Sequence, residues 1–377
     1  METKPNVGIL SMQRVRNSGS FLQAYGLQHA LQQLGGEVEF VDFQQAEGSS
    51  GLKQWIKSAC PGLWSALRRG KGLLRGQPKG AGETLRMSEE FERRYDREYF
   101  PLLSPDTDRT YCPELDLLVI GSDEVFNCAQ YADAGMEIPW QLYGEENRAK
   151  SVVSYAASFG ATTLESLERL GVREKAASLL GHFAEISVRD ENSSHIVQNL
   201  TGKEPHLSID PVLLYPFSEV KLKKPESFDY ILVYAYNNRL SAQEAEQIRR
   251  LAAKTGKRLL CVNNYQDWCE EKRVASPLEV LSYFRFADYV VTDTFHGTVL
   301  SIKYNRPFGA FIRSSNRQKM GFLLNQFGLA SRSVYAPEGF SNILETPIDY
   351  APVNEILYAE QGKAMEYLSG CLNNLTK

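Results

Sequence analysis

The 377-residue sequence predicts an α/β protein of two Rossmann-like domains facing each other across a cleft. Three observations carry that expectation. Short apolar runs alternate with helical stretches along most of the chain, as in parallel sheets covered by helices. The runs LDLLVI (115–120) and YVVT (289–292) are nearly continuous apolar stretches, as strands buried on both faces are. The pattern pauses at the polar segment VKLKKPES (220–227), which contains Pro225, and then restarts. A first domain is therefore expected over 1–219 with an insertion at about 47–110, and a second over 228–355. A last helix over 356–377 is expected to pack back on the first domain.

In chain order, NVGIL (6–10) reads as a strand and residues 20–31 as a helix, with Phe21, Leu22, Tyr25, Leu27 and Leu31 at helical spacing. Gly35 and Gly36 stop it, and Val38, Phe40 and Val41 make a second strand. Between them lies Arg14–Gly19, where Arg16, Ser18, Ser20 and backbone N–H groups can cradle an anion. It lacks the GxGxxG dinucleotide fingerprint, and the small residues also suit a plain turn. Residues 87–99 read as a helix, 115–120 as a strand, 151–159 as another and 164–180 as one continuous helix. The turn Gly121–Glu124 follows its strand directly and is a second candidate cradle, through Ser122. A short strand over 185–188 ends in Arg189, and Asp190 caps the following helix. An Arg there holds a carboxylate or phosphate bidentately, or pairs structurally with a nearby Asp. In the second half, strands are expected over 230–234, 258–262, 289–292 and 308–312, with helices over 242–254 and 277–286.

The strand over 289–292 leads into Asp293-Thr294-Phe295-His296-Gly297-Thr298 and an apolar helix. His296 thus stands on a strand-to-helix turn, beyond the carboxyl end of a parallel strand, where ligands bind in open α/β sheets. The helix start favours an anion, Gly297 lets backbone approach a ligand, and an imidazole carries protons near neutral pH. A His here also serves as a cap or a partly buried core residue.

A net charge of −4 gives no case for nucleic-acid binding. Cysteines 60, 112, 128, 261, 269 and 371 are scattered, with no CxxC pair and no His at ligand spacing. Neither a metal site nor a disulfide framework is expected, and no cofactor. METKPNVGIL holds no apolar leader, and no apolar run reaches about 18 residues, so a cytoplasmic location is expected. The basic segment Lys53–Lys79, with Trp55 and Trp64, suits a helix touching a membrane face or an anionic partner, or an ordinary solvated face.

Several segments, in order, resemble the polysaccharide pyruvyl transferase family over most of the chain. They are NSGSFLQAYGLQHALQQLG, DLLVIGSDEVFN, SYAASFG, ISVRDENS, the stretch from Thr201 through DPVLL, YILVY and DYVVTDTFHGTVLSIKYNRPF, with Arg317 and GFLLNQFGL beyond. The resemblance implies a GT-B-like fold and transfer of a pyruvyl group from phosphoenolpyruvate to a sugar, closing a cyclic ketal. It implies His296 as general acid/base and Arg189 as the grip on the donor. Donor contacts are then expected at Ser18, Ser20, Ser122, Thr294, Gly297 and Thr298. Some family members carry Arg two positions before the His; Thr294 stands there here, and Arg313 and Arg317 are the cations expected to substitute. Polysaccharide assembly suggests a lipid-linked saccharide as acceptor and a peripheral contact with the inner membrane face. Two rival readings share the cleft: a glycosyltransferase using a nucleotide-sugar, and a non-catalytic binding member of the family.

Overall fold

A computed structural model describes residues 4–42, 81–103, 114–237 and 239–376. The basic segment Lys53–Lys79 proposed for membrane contact lies outside the described residues, as do Cys60 and Cys112. No described helix is long and apolar enough to cross a membrane.

The first domain runs β1 (Asn6–Leu10), α1 (Ser18–Gln33), β2 (Glu37–Phe40), α2 (Ala81–Arg94), β3 (Glu114–Asp123), α3 (Cys128–Asp133) and β4 (Arg148–Ala157). It continues with α4 (Leu164–Arg169), α5 (Arg173–Gly181), β5 (Ser187–Val188), α6 (Glu191–Thr201), β6 (His206–Leu207) and α7 (Pro211–Leu214). The helix expected over 164–180 is thus two helices. Gly171 between them sits at φ +68°, a left-handed conformation that ends a helix and costs glycine little.

The second domain runs β7 (Tyr230–Tyr234), α8 (Ala242–Thr255), β8 (Arg258–Val262), β9 (Glu271–Arg273), α9 (Pro277–Phe286), β10 (Tyr289–Thr292) and α10 (Phe295–Lys303). It then runs β11 (Phe308–Phe311), α11 (Arg317–Gln326), β12 (Ser333–Val334) and α12 (Phe340–Glu345), and ends in α13 (Tyr350–Asn373).

Each domain holds one parallel six-stranded sheet, in the orders β2-β1-β3-β4-β5-β6 and β12-β11-β10-β7-β8-β9. Val7 pairs with Leu117 in the first and Val291 with Val233 in the second, so the central strands are apolar on both faces. This is the two-domain α/β, GT-B-like architecture the sequence predicts. Strand order reverses between β1 and β3 and again between β7 and β10. Those are the switch points at which open sheets leave a crevice beyond their carboxyl ends.

The two crevices face each other because the domains share a core. α1 is buried on every side from Ser18 to Gln28, since it lies between its own sheet and α9. α7 packs on α10. One apolar cluster joins Phe21, Leu213 and Tyr215 to Leu281, Val299 and Ile302. α13 returns across the interface: Gln361 Nε2 donates to the Leu213 carbonyl at 2.7 Å and the Tyr367 hydroxyl to the Ser154 carbonyl at 2.8 Å. Its Leu368 and Leu372 are buried in the same cluster.

Candidate active site

The local sequence first places His296. The chain leaves β10 at Thr292, and Thr294 caps α10 by accepting the Gly297 N–H at 2.9 Å. His296 falls in the first turn of that helix, where its side chain crosses to the first domain. Its Nε2 lies 3.5 Å from Asp210 Oδ2.

Asp210 is fully buried and caps α7, its Oδ1 accepting the Val212 N–H at 2.9 Å. Its Oδ2 also accepts from Arg189 Nη1 at 2.9 Å. Arg189 leaves the end of β5, is 2% exposed, and donates from Nη2 to Asp123 Oδ1 at 3.0 Å. Asp123, at the end of β3, accepts the Ser20 hydroxyl on Oδ2 at 2.8 Å. Phe295 closes the assembly, its ring 4.4 Å from the Arg189 guanidinium carbon. The result is one polar chain, Ser20–Asp123–Arg189–Asp210–His296, that crosses from one domain to the other.

Burial pushes the Asp123 carboxyl up, but Arg189 and then His296 outweigh it and hold the group at about 2. Burial likewise opposes ionisation of Asp210, and His296 and Arg189 keep it below the ordinary carboxylate range. Both acids are therefore anions at neutral pH. Arg189 leaves Nε without a hydrogen-bond partner, and His296 is 13% exposed.

The other expected site residues divide sharply. Ser18 Oγ accepts from Asn263 Nδ2 of the second domain at 3.1 Å, and Ser20 joins the polar chain. Ser122 is fully buried and donates to the Ala156 carbonyl at 2.9 Å. Thr294 is the helix cap, and Thr298 is buried with its hydroxyl on the Thr294 carbonyl at 3.2 Å. Gly297 lies against Thr292 and Thr294, where an added Cβ would come 2.7 Å from Thr294 Oγ1; the small residue fits the inside of the turn. Arg313 grips Glu244 with both Nη atoms at 2.7 and 2.9 Å. Arg16 turns away to Asp96 at 2.7 Å, and Arg14 to Asp42.

Arg317 is exposed and lines a cavity of about 350 Å³ at the mouth of the cleft. Gly160 and Ala161 form one wall, and Ser314, Ser315, Arg317 and Lys319 the other. Lys319 spans the cleft to Glu124, the neighbour of Asp123. Cavity and polar chain thus adjoin. Among the described residues no group of His, Cys, Asp or Glu is arranged to hold a metal ion.

Asp123, Asp210, Glu124 and Lys319 are the components that sequence reasoning did not single out. Asp123 and Asp210 each stand at or just beyond a strand end, which was the available signal; their partners, 66 and 21 residues from them, were not.

No curated protein matches the sequence. Among solved structures, the fold is similar to UDP-GlcNAc 2-epimerase from Neisseria meningitidis bound to UDP-GlcNAc, at 9% identity and a TM-score of 0.45, covering 97% of this chain and 93% of that one. It is similar to the S. aureus MnaA-UDP co-structure at 12% identity and a TM-score of 0.45, covering 96% and 91%. The glycosyltransferase SnogD from Streptomyces nogalater matches at 12% identity and a TM-score of 0.43, covering 100% and 98%. The family model described as polysaccharide pyruvyl transferase matches residues 17–315, and the chain belongs to that family.

Proposed function

We propose that the protein transfers a pyruvyl group from phosphoenolpyruvate to two hydroxyls of a sugar in a polysaccharide precursor, forming a cyclic ketal. The observation that carries this reading is the contact of His296, beyond the switch-point strand β10, with Asp210, which Arg189 ties to Asp123 beyond the switch-point strand β3.

The chemistry needs a proton carrier. C3 of phosphoenolpyruvate takes a proton, which leaves an electrophilic C2. One sugar hydroxyl attacks C2, phosphate departs, and the second hydroxyl closes the ring. Of the two hydroxyl protons, one replaces the proton delivered to C3 and the other leaves on phosphate. An imidazole titrating near neutrality suits these transfers. We assign that acid/base role to His296, supported by its contact with Asp210 across the two domains. Asp210, 3.5 Å from Nε2, orients the ring. Arg189 fixes both carboxylates, and through Asp210 it holds the partner of His296 in place.

The test is incubation with phosphoenolpyruvate and candidate saccharides, following phosphate release and the ketal by mass spectrometry. His296→Ala should keep the fold and lose about 100- to 10,000-fold in rate. Parent-rate ketal formation by that variant removes His296 from the mechanism. A melting temperature raised by a nucleotide-sugar, with no response to phosphoenolpyruvate, replaces pyruvyl transfer by glycosyl transfer.

A further inference from the structure

The polar chain around His296 is a poor place for an anion. It contains two buried carboxylates, Asp123 and Asp210, against one guanidinium. A donor with a carboxylate and a phosphate needs cations from elsewhere. Thr294 supplies none in the His296 turn, and Arg313, Arg14 and Arg16 are each engaged by a carboxylate.

Arg239 also meets a carboxylate, Asp293, but through Nε, with Nη2 on a neutral hydroxyl. It lies beyond the end of β7, on the strand beside β10, and its side chain is 30% exposed. Its Nε sits 3.2 Å from Asp293 Oδ2, on the residue just before Thr294. Its Nη2 donates to Ser315 Oγ at 2.9 Å, and the guanidinium lies 5.2 Å from the Tyr236 ring centre. These contacts orient the fork between the His296 turn and the wall of the 350 Å³ cavity that Ser315 lines. Asp293 is fully buried, and its Oδ1 accepts the Tyr236 N–H at 3.0 Å, so the anchor is fixed. In the same wall Arg317 makes no ion pair with any described residue, while Lys319 pairs with Glu124 and also acts on Asp123. Arg317 thus brings a positive charge that no described carboxylate pairs with to a cavity large enough for a small phosphorylated acid.

We infer that this cavity is a phosphate site, with Arg317 on its wall as the free cation and Arg239 as the fork anchored behind Ser315, and that it holds the phosphate of the donor. The second half of the inference rests on the function proposed above; the first half does not. A dianionic phosphate binds an oriented guanidinium through paired charge-assisted hydrogen bonds.

Calorimetry with phosphoenolpyruvate, inorganic phosphate and pyruvate on the full chain tests it. The unaltered protein should bind the two phosphate-bearing probes. Arg317→Gln, an exposed change, and Arg239→Gln should each weaken them by about tenfold or more. Pyruvate, which lacks the phosphate, should respond less. Melting curves establish that both variants fold, and Arg317→Gln alone keeps the test valid if loss of the Asp293 partner destabilises the other. Undiminished phosphate affinity in folded variants overturns the site, and so does an unaltered protein that binds neither phosphate-bearing probe. Inorganic phosphate binding that both variants lose, without phosphoenolpyruvate binding in the unaltered protein, keeps the site and removes the donor reading.

Discussion

Gly19, in the first turn of α1, faces the imidazole of His296 so closely that a Cβ built on it would lie 2.5 Å from Cγ and overlap Nδ1. Absence of a side chain at 19 is therefore what lets the ring lie between the domains. Gly19→Ala should push the imidazole away from Asp210 while leaving both sheets intact. A displacement of about 1 Å at a reacting group costs on the order of 100-fold. Phosphate release from phosphoenolpyruvate is the readout, and full activity in the alanine variant would mean the ring leaves this position during turnover.

Acid sensitivity should trace to the Asp123 carboxylate. Its folded value, about 2, lies below the roughly 3.9 of an unfolded Asp. A depressed carboxylate contributes stability above the unfolded value and loses it as pH falls through the folded one. The contribution, roughly 2–3 kcal/mol, should disappear between about pH 4 and pH 2. Urea titrations across that window should show the slope, and Asp123→Asn should reduce it, with the depressed Asp210 keeping its own share. An Asn variant with the parent's acid profile would assign the effect elsewhere.

Lys303 predicts the opposite limb. Burial on α10 pushes its ammonium down to about 8, although it donates to the Tyr215 carbonyl at 2.6 Å. The folded form holds this proton less tightly than the unfolded chain does. Stability should therefore rise between about pH 8 and pH 10 as the folded group becomes neutral. Lys303→Met should remove that rise. Melting temperatures of the two proteins that climb in parallel over this range would rule Lys303 out as its source.

Leu368 tests the shared core. It is fully buried on α13 in the cluster that spans both domains. Leu368→Ala should cost about 2–5 kcal/mol. Because the cluster is continuous, intrinsic fluorescence and far-UV dichroism should still report one coincident transition. Two separated transitions would show that the domains melt independently.

Much of the architecture is legible in the sequence where a segment is long and of one kind. Tyr230–Tyr234, Arg258–Val262 and Tyr289–Thr292 are uninterrupted runs bounded by polar residues, and each is a strand. Glu271–Arg273 is a strand of three charged residues that no periodicity announces; β8 recruits it as an edge. The break at Gly171 is equally quiet, because the apolar spacing continues across it. At the site, sequence shows residue types at strand ends but not which of them meet. Arg313 and Arg189 look alike as guanidinium groups near turns. One meets Glu244, 69 residues away, and the other meets Asp123 and Asp210; only the folded chain decides this.

The return of α13 has a mechanical consequence. The second domain is joined to the first by the chain after α7 and again by the helix whose Gln361 and Tyr367 bond to first-domain carbonyls. With the shared core and the Lys303 ammonium on the Tyr215 carbonyl, these links form the spine of a book, and the Glu124–Lys319 pair joins its two leaves. Shortening the chain from its carboxyl end would loosen the binding before it touched the page that carries His296.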